Sequence, residues 1–191
     1  GGSDDIQTLP IGGGSLSVLV DNTTLLAFTG ATGFGAAGSS AQAGNGDLLV
    51  MDASEFGGGG DLLRITPTGA LSVEVPASQL GPYESSQGGG GIDEIAADSL
   101  GNIYVFSEDA EPPDGGILII LAQGGSTIID YSVIETVTGG NLFEVEGQVG
   151  VYEANDQVML YLCDDQSPRS IVRLTFDTTQ ATAADDWALY R

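Results

Sequence analysis

The sequence predicts an all-β fold, a small β-propeller of four blades that each contain mainly four antiparallel strands. Three observations favour this fold. Short apolar segments recur about every 55 residues, turn-forming residues bound each segment, and a hydrophobic content of 41% is sufficient for a globular core. With 191 residues, the chain is long enough for one domain that buries a substantial core.

Two sets of apolar segments define the repeat and keep the same register. The first set begins at 55-residue intervals, at Asp47, Asn102 and Gln157. The second set begins at intervals of 55 and 54 residues, at Asp61, Gly116 and Ser170. These segments are short, rich in Val, Ile and Leu, and bounded by Gly, Asp, Asn or Pro. This pattern is typical of buried strands rather than of helices.

Two further segments complete each repeat. More polar, alternating segments follow the apolar pairs and suit outer strands with one solvent-facing side, at 70–75, 126–131 and 186–190. Segments of small residues precede the pairs and suit the strand nearest a crowded axis, at 36–43, 91–98 and 148–154. Each repeat is therefore expected to form one four-stranded blade.

The N-terminal region is expected to supply a fourth blade and a separate edge strand. Apolar segments 15–20 and 23–28 flank the dipeptide Asp-Asn, which predicts a β-hairpin in that blade. Residues 1–14 are expected to be an extended segment with a Gly linker, ahead of a propeller domain over 15–191. A larger propeller, of which this chain is a fragment, and a twisted stack of three sheets are the alternatives.

The extended segment contains the candidate assembly residues Ile6, Leu9 and Ile11. They lie on a short apolar strand that contains a proline, which places the strand at the edge of a sheet. Such a strand can close its own ring or add to the sheet of a neighbouring molecule.

One repeat resembles a known family. The segment from Gly91 to Phe106 reads Gly-Ile-Asp-Glu-Ile-Ala-Ala-Asp-Ser-Leu-Gly-Asn-Ile-Tyr-Val-Phe and resembles NHL-type propeller repeats. Blades of that family commonly run from an apolar-Ala-Asp stretch through Gly-Asn into a strand with an aromatic residue. The segment from Asp61 to Gly69 is similar to the next strand and turn. The resemblance covers two of the three repeats and implies a propeller, with no catalytic residue carried across.

The net charge of the chain limits which partners it can bind. The chain has 27 Asp and Glu, four Arg, no Lys and no His, which gives a net charge of -23 at pH 7. It lacks the basic surface that nucleic acid binding needs, and an anionic membrane would repel it. The longest wholly apolar run, 117–122, is too short for membrane insertion.

The same charge indicates an environment outside the cytoplasm. A chain this acidic repels itself unless salt, bound cations or low pH reduce the repulsion, and all three favour an extracellular or cell-surface location. The first residue is Gly1 rather than Met, which is consistent either with removal of a signal peptide or with residues left over from an expression vector.

Only carboxylate chemistry is compatible with this composition. The lack of His and Lys excludes a Ser-His-Asp triad, a histidine metal centre and a lysine Schiff base. Calcium prefers hard oxygen donors, and one loop with two prolines offers four candidate ligands: Glu108, Asp109, Glu111 and Asp114. An ordinary acidic loop is the alternative, and no other cofactor is expected.

Further predictions concern individual residues. Cys163 is the only cysteine, which excludes an intrachain disulfide, and we expect it in the core. Asn22 begins a glycosylation sequence at the tip of the predicted hairpin. The rings of Tyr83, Trp187 and Tyr190 could stack against a sugar, and packing is the alternative.

These features predict a non-enzymatic, exported structural protein that associates with copies of itself, into a filament or surface layer. The contact would form by strand addition or between blade edges. The alternative is a secreted binding module that recognises a glycan, a cation or another protein. A glycoside hydrolase with two catalytic carboxylates is the third hypothesis, but acid pairs arise by chance in so acidic a chain.

Overall fold

A computed structural model describes most of the chain. The residues described are 5–30, 40–52, 60–86, 92, 94–106, 116–122, 124–130, 149–155, 157–164, 170–177 and 188–190. Within these ranges the protein is mainly β-structure, arranged in antiparallel sheets.

Three four-stranded sheets form the body of the described structure. Sheet 1 contains β3 (Ser40–Gln42), β4 (Leu48–Met51), β5 (Leu62–Ile65) and β6 (Leu71–Val75). Sheet 2 contains β7 (Glu94–Ala97), β8 (Ile103–Phe106), β9 (Gly116–Ile120) and β10 (Ser126–Asp130). Sheet 3 contains β11 (Gly150–Ala154), β12 (Gln157–Asp164), β13 (Ser170–Asp177) and β14 (Ala188–Tyr190). In every sheet the strands lie side by side in chain order, so each sheet is a meander.

The three predicted repeats are confirmed as these three sheets. The apolar segments form the two central strands of each sheet, the segments of small residues form the first strand, and the polar segments form the last. Among the described residues the sheets do not close into a barrel or a ring.

The predicted N-terminal hairpin over 15–28 is wrong. The strand β2 (Ser17–Val20) forms, but it pairs antiparallel with β1 (Ile6–Thr8). The second half of the predicted hairpin is the helix α1 (Asn22–Thr29). The segment expected to be a detached edge strand is therefore the partner of β2. We call β1, β2 and α1 together the N-terminal unit.

Capping explains why this segment is helical. The Asp21 carboxylate accepts a hydrogen bond of 2.8 Å from the Thr24 N–H, as an N-cap residue does. At the other end Gly30 adopts the left-handed conformation, with φ of 71°, and its N–H donates to the Leu26 carbonyl. Asp21 thus begins a helix instead of making a hairpin turn.

The sequence does not predict the helix α2 (Ala77–Ser86), because Gly81 and Pro82 interrupt its middle. Packing stabilises it, since Leu80 and Tyr83 are buried in the cluster between sheets 1 and 2. Neither helix in the described part of the chain is long and apolar enough to span a bilayer.

The N-terminal unit and the three sheets pack face to face in chain order. One apolar cluster joins the N-terminal unit to sheet 1 and includes Val20, Leu25, Val50 and Leu63. A second joins sheet 1 to sheet 2 and includes Met51, Leu62, Ile95 and Val105. A third joins sheet 2 to sheet 3 and includes Tyr104, Phe106, Leu160 and Leu162. Because sheets 1 and 2 are covered on both sides, their central strands are almost entirely apolar, with Arg64 on β5 as an exception.

Each sheet therefore has two distinct sides. We call the side toward the preceding unit the rear face and the side toward the following unit the forward face. Strand alternation assigns the residues: Val105 points to the rear of sheet 2, while Tyr104 and Phe106 point forward to sheet 3.

The first turns of the sheets also contact one another. A Cβ atom placed on Gly44, in the β3–β4 turn, would lie 2.7 Å from both the Cα and the carbonyl oxygen of Ser99 in the β7–β8 turn. Glu153 on β11 accepts hydrogen bonds from the N–H of Ser99, at 2.7 Å, and from its hydroxyl. The first strand of sheet 2, β7, contacts both β3 and β11. Ser99 thus links all three sheets.

A buried carboxylate organises the β7–β8 turn. Asp98 accepts hydrogen bonds from the N–H groups of Leu100 and Asn102, at 3.0 and 2.9 Å. It also accepts from the Asn102 side chain at 2.7 Å and from the Tyr104 hydroxyl at 2.8 Å. Asn102 in turn accepts from the Ala122 N–H at 3.0 Å, which ties this turn to the β9–β10 turn. The Asp-Ser-Leu-Gly-Asn sequence therefore fixes the local structure of sheet 2.

Candidate self-association surfaces

The segment between β1 and β2, together with β2 itself, exposes a group of large apolar side chains. Ile11 is fully exposed, and Leu9, Leu16 and Val18 are each more than half exposed. We call these four residues the N-terminal apolar surface. The stretch 6–20 contains no Asp, Glu, Lys or Arg, although the chain carries 27 acidic residues. Concentrated apolar exposure of this kind is typical of contact sites.

The three predicted assembly residues have different positions. Ile6 lies on β1 and packs against the cluster that joins the N-terminal unit to sheet 1. Leu9 and Ile11 lie just beyond β1, where the Gly13 N–H donates to the Pro10 carbonyl in a turn. The structure therefore brings Leu9 and Ile11 to the surface and uses Ile6 in the fold.

Sequence reasoning missed Leu16 and Val18, because it assigned both to a strand of a blade. The signal that could have found them is the lack of charge over the stretch 6–20. The sheet that carries these residues has only two strands within the described part of the chain. A two-stranded sheet is marginally stable by itself, and its outer edges can accept another strand.

The forward face of sheet 3 is a second exposed apolar surface. Tyr152 is 56% exposed, Ile171 is 68% exposed, and Cys163 is exposed as well. Cys163 lies directly opposite Ile171 on the neighbouring strand, and Tyr152 lies opposite Met159. The prediction that Cys163 is a core residue is wrong, because strand alternation turns its neighbour Leu162 inward instead.

Most of the predicted ligand-binding residues lie outside the part of the chain that the structure describes. The candidate calcium ligands Glu108, Asp109, Glu111 and Asp114 lie outside the described residues, as does Trp187. Tyr190 is the last residue of β14. Within the described ranges, no group of three or more His, Cys, Asp or Glu side chains could hold a metal ion.

Two further site predictions are corrected. Tyr83 cannot stack against a sugar, because it is buried and its hydroxyl donates to the Gly116 carbonyl at 2.6 Å. The glycosylation sequence at Asn22 lies in the first turn of α1, not at a hairpin tip. The Asn22 N–H donates to the Asp5 carboxylate at 2.8 Å, and its side-chain oxygen is buried without a hydrogen-bond partner among the described residues.

A cleft of about 540 Å³ opens between sheets 1 and 2. Apolar side chains and the backbone of the β9–β10 turn form most of its lining, and Glu74 contributes a carboxylate. Arg64 donates to both oxygens of Glu74, at 2.6 and 2.7 Å, and to Asp47 at 3.1 Å. The hydrogen bonds to Glu74 raise the pKa of Arg64 above its usual value. Arg64 thus holds Glu74 in a salt bridge at the edge of this cleft.

A carboxylate pair lies at the ends of β4 and β5. Asp52 and Asp61 face each other across the two strands, and the Asp52 N–H donates to the Asp61 carbonyl at 3.0 Å. The Asp61 carboxylate accepts from the Ala77 N–H at the start of α2, at 2.7 Å. Asp52 is buried, and one of its carboxylate oxygens has no hydrogen-bond partner within the described structure. Burial, and then the charge on Asp61, raise the pKa of Asp52.

We expect Asp52→Asn to stabilise the protein by about 1 kcal/mol at pH 7. The pKa of Asp52 is higher in the folded protein than in the unfolded chain, where it is near 3.8. The ionised carboxylate therefore lowers the free energy of unfolding as pH rises through the folded-state pKa. Below the unfolded-state pKa, Asp52 is protonated in both states, and the stability gained from Asp52→Asn should disappear. Urea unfolding of the variant and the parent at pH 7 and at pH 3 measures the difference. A gain of equal size at both pH values would contradict the assignment.

No family model matches the chain, and comparisons with curated proteins and with solved structures gave no match either. Its function must therefore be inferred from the surfaces described above.

Proposed function

We propose that the protein is an exported structural subunit that self-associates through its N-terminal apolar surface. The observation that carries the proposal is the exposure of Leu9, Ile11, Leu16 and Val18 on a charge-free segment of a very acidic chain. Burying apolar surface contributes about 25 cal/mol per Å². Four large side chains therefore supply a substantial driving force if a partner covers them together.

A second copy of the chain is the partner that the charge pattern favours. Strongly like-charged copies approach each other most easily through surfaces without charge. The contact residues themselves contribute no repulsion, so only the surrounding carboxylates oppose it. Salt screens such charges beyond about 10 Å at 0.1 M, and association should therefore strengthen as salt is added. An extracellular location, where screening ions are plentiful, suits a subunit of this kind.

We also propose that the sheets are arranged as the blades of a small propeller. The first strands of successive sheets are neighbours, since β7 contacts both β3 and β11. Each sheet runs as a meander from that first strand outward, as a blade does. The resemblance of sheet 2 to NHL-type repeats supports the same arrangement. The N-terminal unit would then stand ahead of sheet 1 in the position of a fourth blade, with the ring open between it and sheet 3.

We expect Ile11→Asp to weaken self-association at least tenfold. A fully buried Ile side chain contributes about 1.5 to 3 kcal/mol, and the new carboxylate must also be desolvated at the contact. Ile11 makes no contribution to the core, so the variant should unfold at the parent's denaturant midpoint. Sedimentation velocity over a range of concentrations at high salt measures the dissociation constant.

The matched control is Leu100→Asp, which introduces the same charge at an exposed apolar residue in the β7–β8 turn. This variant should associate like the parent. If the parent protein stays a 19.4 kDa monomer at every concentration and salt level, the proposed function is wrong. An equal loss in both variants would show that the added charge, rather than the N-terminal surface, matters.

A further inference from the structure

We propose that the N-terminal apolar surface of one copy docks on the forward face of sheet 3 of a second copy, so that copies join head to tail. This inference rests on the self-association proposed above and names the surface that receives the N-terminal unit.

The repeat shows what the forward face is built to do. The 55-residue spacing makes two sets of forward-facing residues equivalent: Leu49, Tyr104 and Met159, and then Met51, Phe106 and Tyr161. In sheets 1 and 2 these residues are buried beneath the next sheet, with at most 1% exposure. In sheet 3 the equivalent residues are only partly buried. Within the described part of the chain no further sheet packs on this face of sheet 3: Thr175, opposite Met159, is buried, whereas Tyr152, Cys163 and Ile171 are exposed.

The N-terminal unit is the counterpart of this face. It already covers the rear face of sheet 1 through Val20 and Leu25, so an element of this size can pack on a sheet of the repeat. The other large apolar side chains nearby, those of the N-terminal apolar surface, are exposed. Among the described residues of one chain both surfaces are uncovered, and a second copy brings one of each.

Charge favours this pairing over contacts elsewhere on the molecule. The forward face of sheet 3 includes Tyr152, Met159, Tyr161, Cys163, Ile171 and Arg173. The strand register also places Asp177 on this face, opposite Gln157, so its two charged residues, Arg173 and Asp177, are of opposite sign. The N-terminal stretch 6–20 is neutral. Joining the two surfaces brings no pair of like charges together, because the N-terminal stretch carries no charge.

The contact is heterologous, because it joins two different surfaces. The N-terminal unit packs before sheet 1 and the forward face of sheet 3 follows the last sheet, so they lie at opposite ends of the packing order. A heterologous contact leaves one free surface of each kind on every complex. Repetition then produces a ring where the rotation closes and a filament where it does not.

Thiol crosslinking tests this docking, because Cys163 is the only cysteine and lies on the receiving face. Ile11→Cys places a second thiol on the N-terminal apolar surface. A short bis-maleimide should then join the position-11 thiol of one copy to Cys163 of the next and produce a ladder of covalent multimers. Peptide mass spectrometry should identify the 11–163 linkage.

Two matched variants complete the experiment. Ile11→Cys combined with Cys163→Ser should lose the ladder, and Leu100→Cys with Cys163 retained should not form one. Crosslinks that join only position 11 to position 11, or only Cys163 to Cys163, would overturn head-to-tail docking and leave self-association standing. Absence of crosslinks from a protein that sediments as a monomer would overturn both proposals.

Discussion

Asp98→Ala is expected to lower the free energy of unfolding by about 3 to 5 kcal/mol. The Asp98 carboxylate is almost fully buried and accepts four hydrogen bonds, from two backbone N–H groups, the Asn102 side chain and the Tyr104 hydroxyl. Alanine removes the acceptor for all of them at once. Since Asn102 and Tyr104 are themselves buried, water cannot easily replace the lost partner.

Tyr104→Phe provides the graded comparison, because it removes one of these four hydrogen bonds and keeps the ring. It should cost about 1 to 2 kcal/mol. Burial, and then the charge on Asp98, raise the pKa of Tyr104, so its hydroxyl remains a donor well into the alkaline range. Urea unfolding followed by circular dichroism measures both variants. An Asp98→Ala cost no larger than that of Tyr104→Phe would show that Asp98 does not organise the turn.

Gly44→Ala is expected to cost about 2 to 3 kcal/mol, because it separates sheet 1 from sheet 2. The new Cβ would lie 2.7 Å from the Cα and the carbonyl oxygen of Ser99. These are backbone atoms that cannot rotate away as a flexible side chain can. Movement of Ser99 would also disturb its two hydrogen bonds to Glu153 on sheet 3.

Gly81→Ala is the matched control for this substitution. A Cβ at Gly81 would meet no atom within 4 Å beyond its chain neighbours and the helix backbone. The next residue, Pro82, disfavours the helical conformation for a residue with a Cβ and offsets the helix propensity of alanine, so this variant should differ from the parent by less than about 0.5 kcal/mol. Denaturant midpoints of both variants, compared with the parent at one pH, provide the test. A Gly44→Ala variant as stable as the parent would contradict the close contact between the two turns.

The sequence predicted the strands of the three sheets well, because apolar composition, turn residues and a constant spacing all agree for those segments. It failed at α1, where Asp21 followed by Asn22 suits a hairpin turn and a helix N-cap equally. The choice depended on β1 pairing with β2 and on Gly30 ending the helix. It also failed at α2, which depends on the tertiary packing of Leu80 and Tyr83.

The candidate contact surfaces were predictable only in part. Leu9 and Ile11 were identified because Pro10 places their segment at the edge of a sheet and the glycine run 12–14 separates it from the rest of the chain. The exposure of Cys163 could not be predicted, since the apolar run of β12 resembles those of β4 and β8, which are covered on both sides. The burial of a sheet face depends on whether a neighbouring unit packs against it in three dimensions. The pattern of a single strand does not contain that information.

The labelling rate of Cys163 reports on the proposed head-to-tail contact in the unmodified protein. Because this exposed thiol is the only one in the chain, a bulky maleimide measures how open the forward face of sheet 3 is. We expect labelling of the parent to slow as protein concentration and salt increase, while labelling of Ile11→Asp stays constant. A parent rate that does not change with concentration would contradict head-to-tail association through these two surfaces.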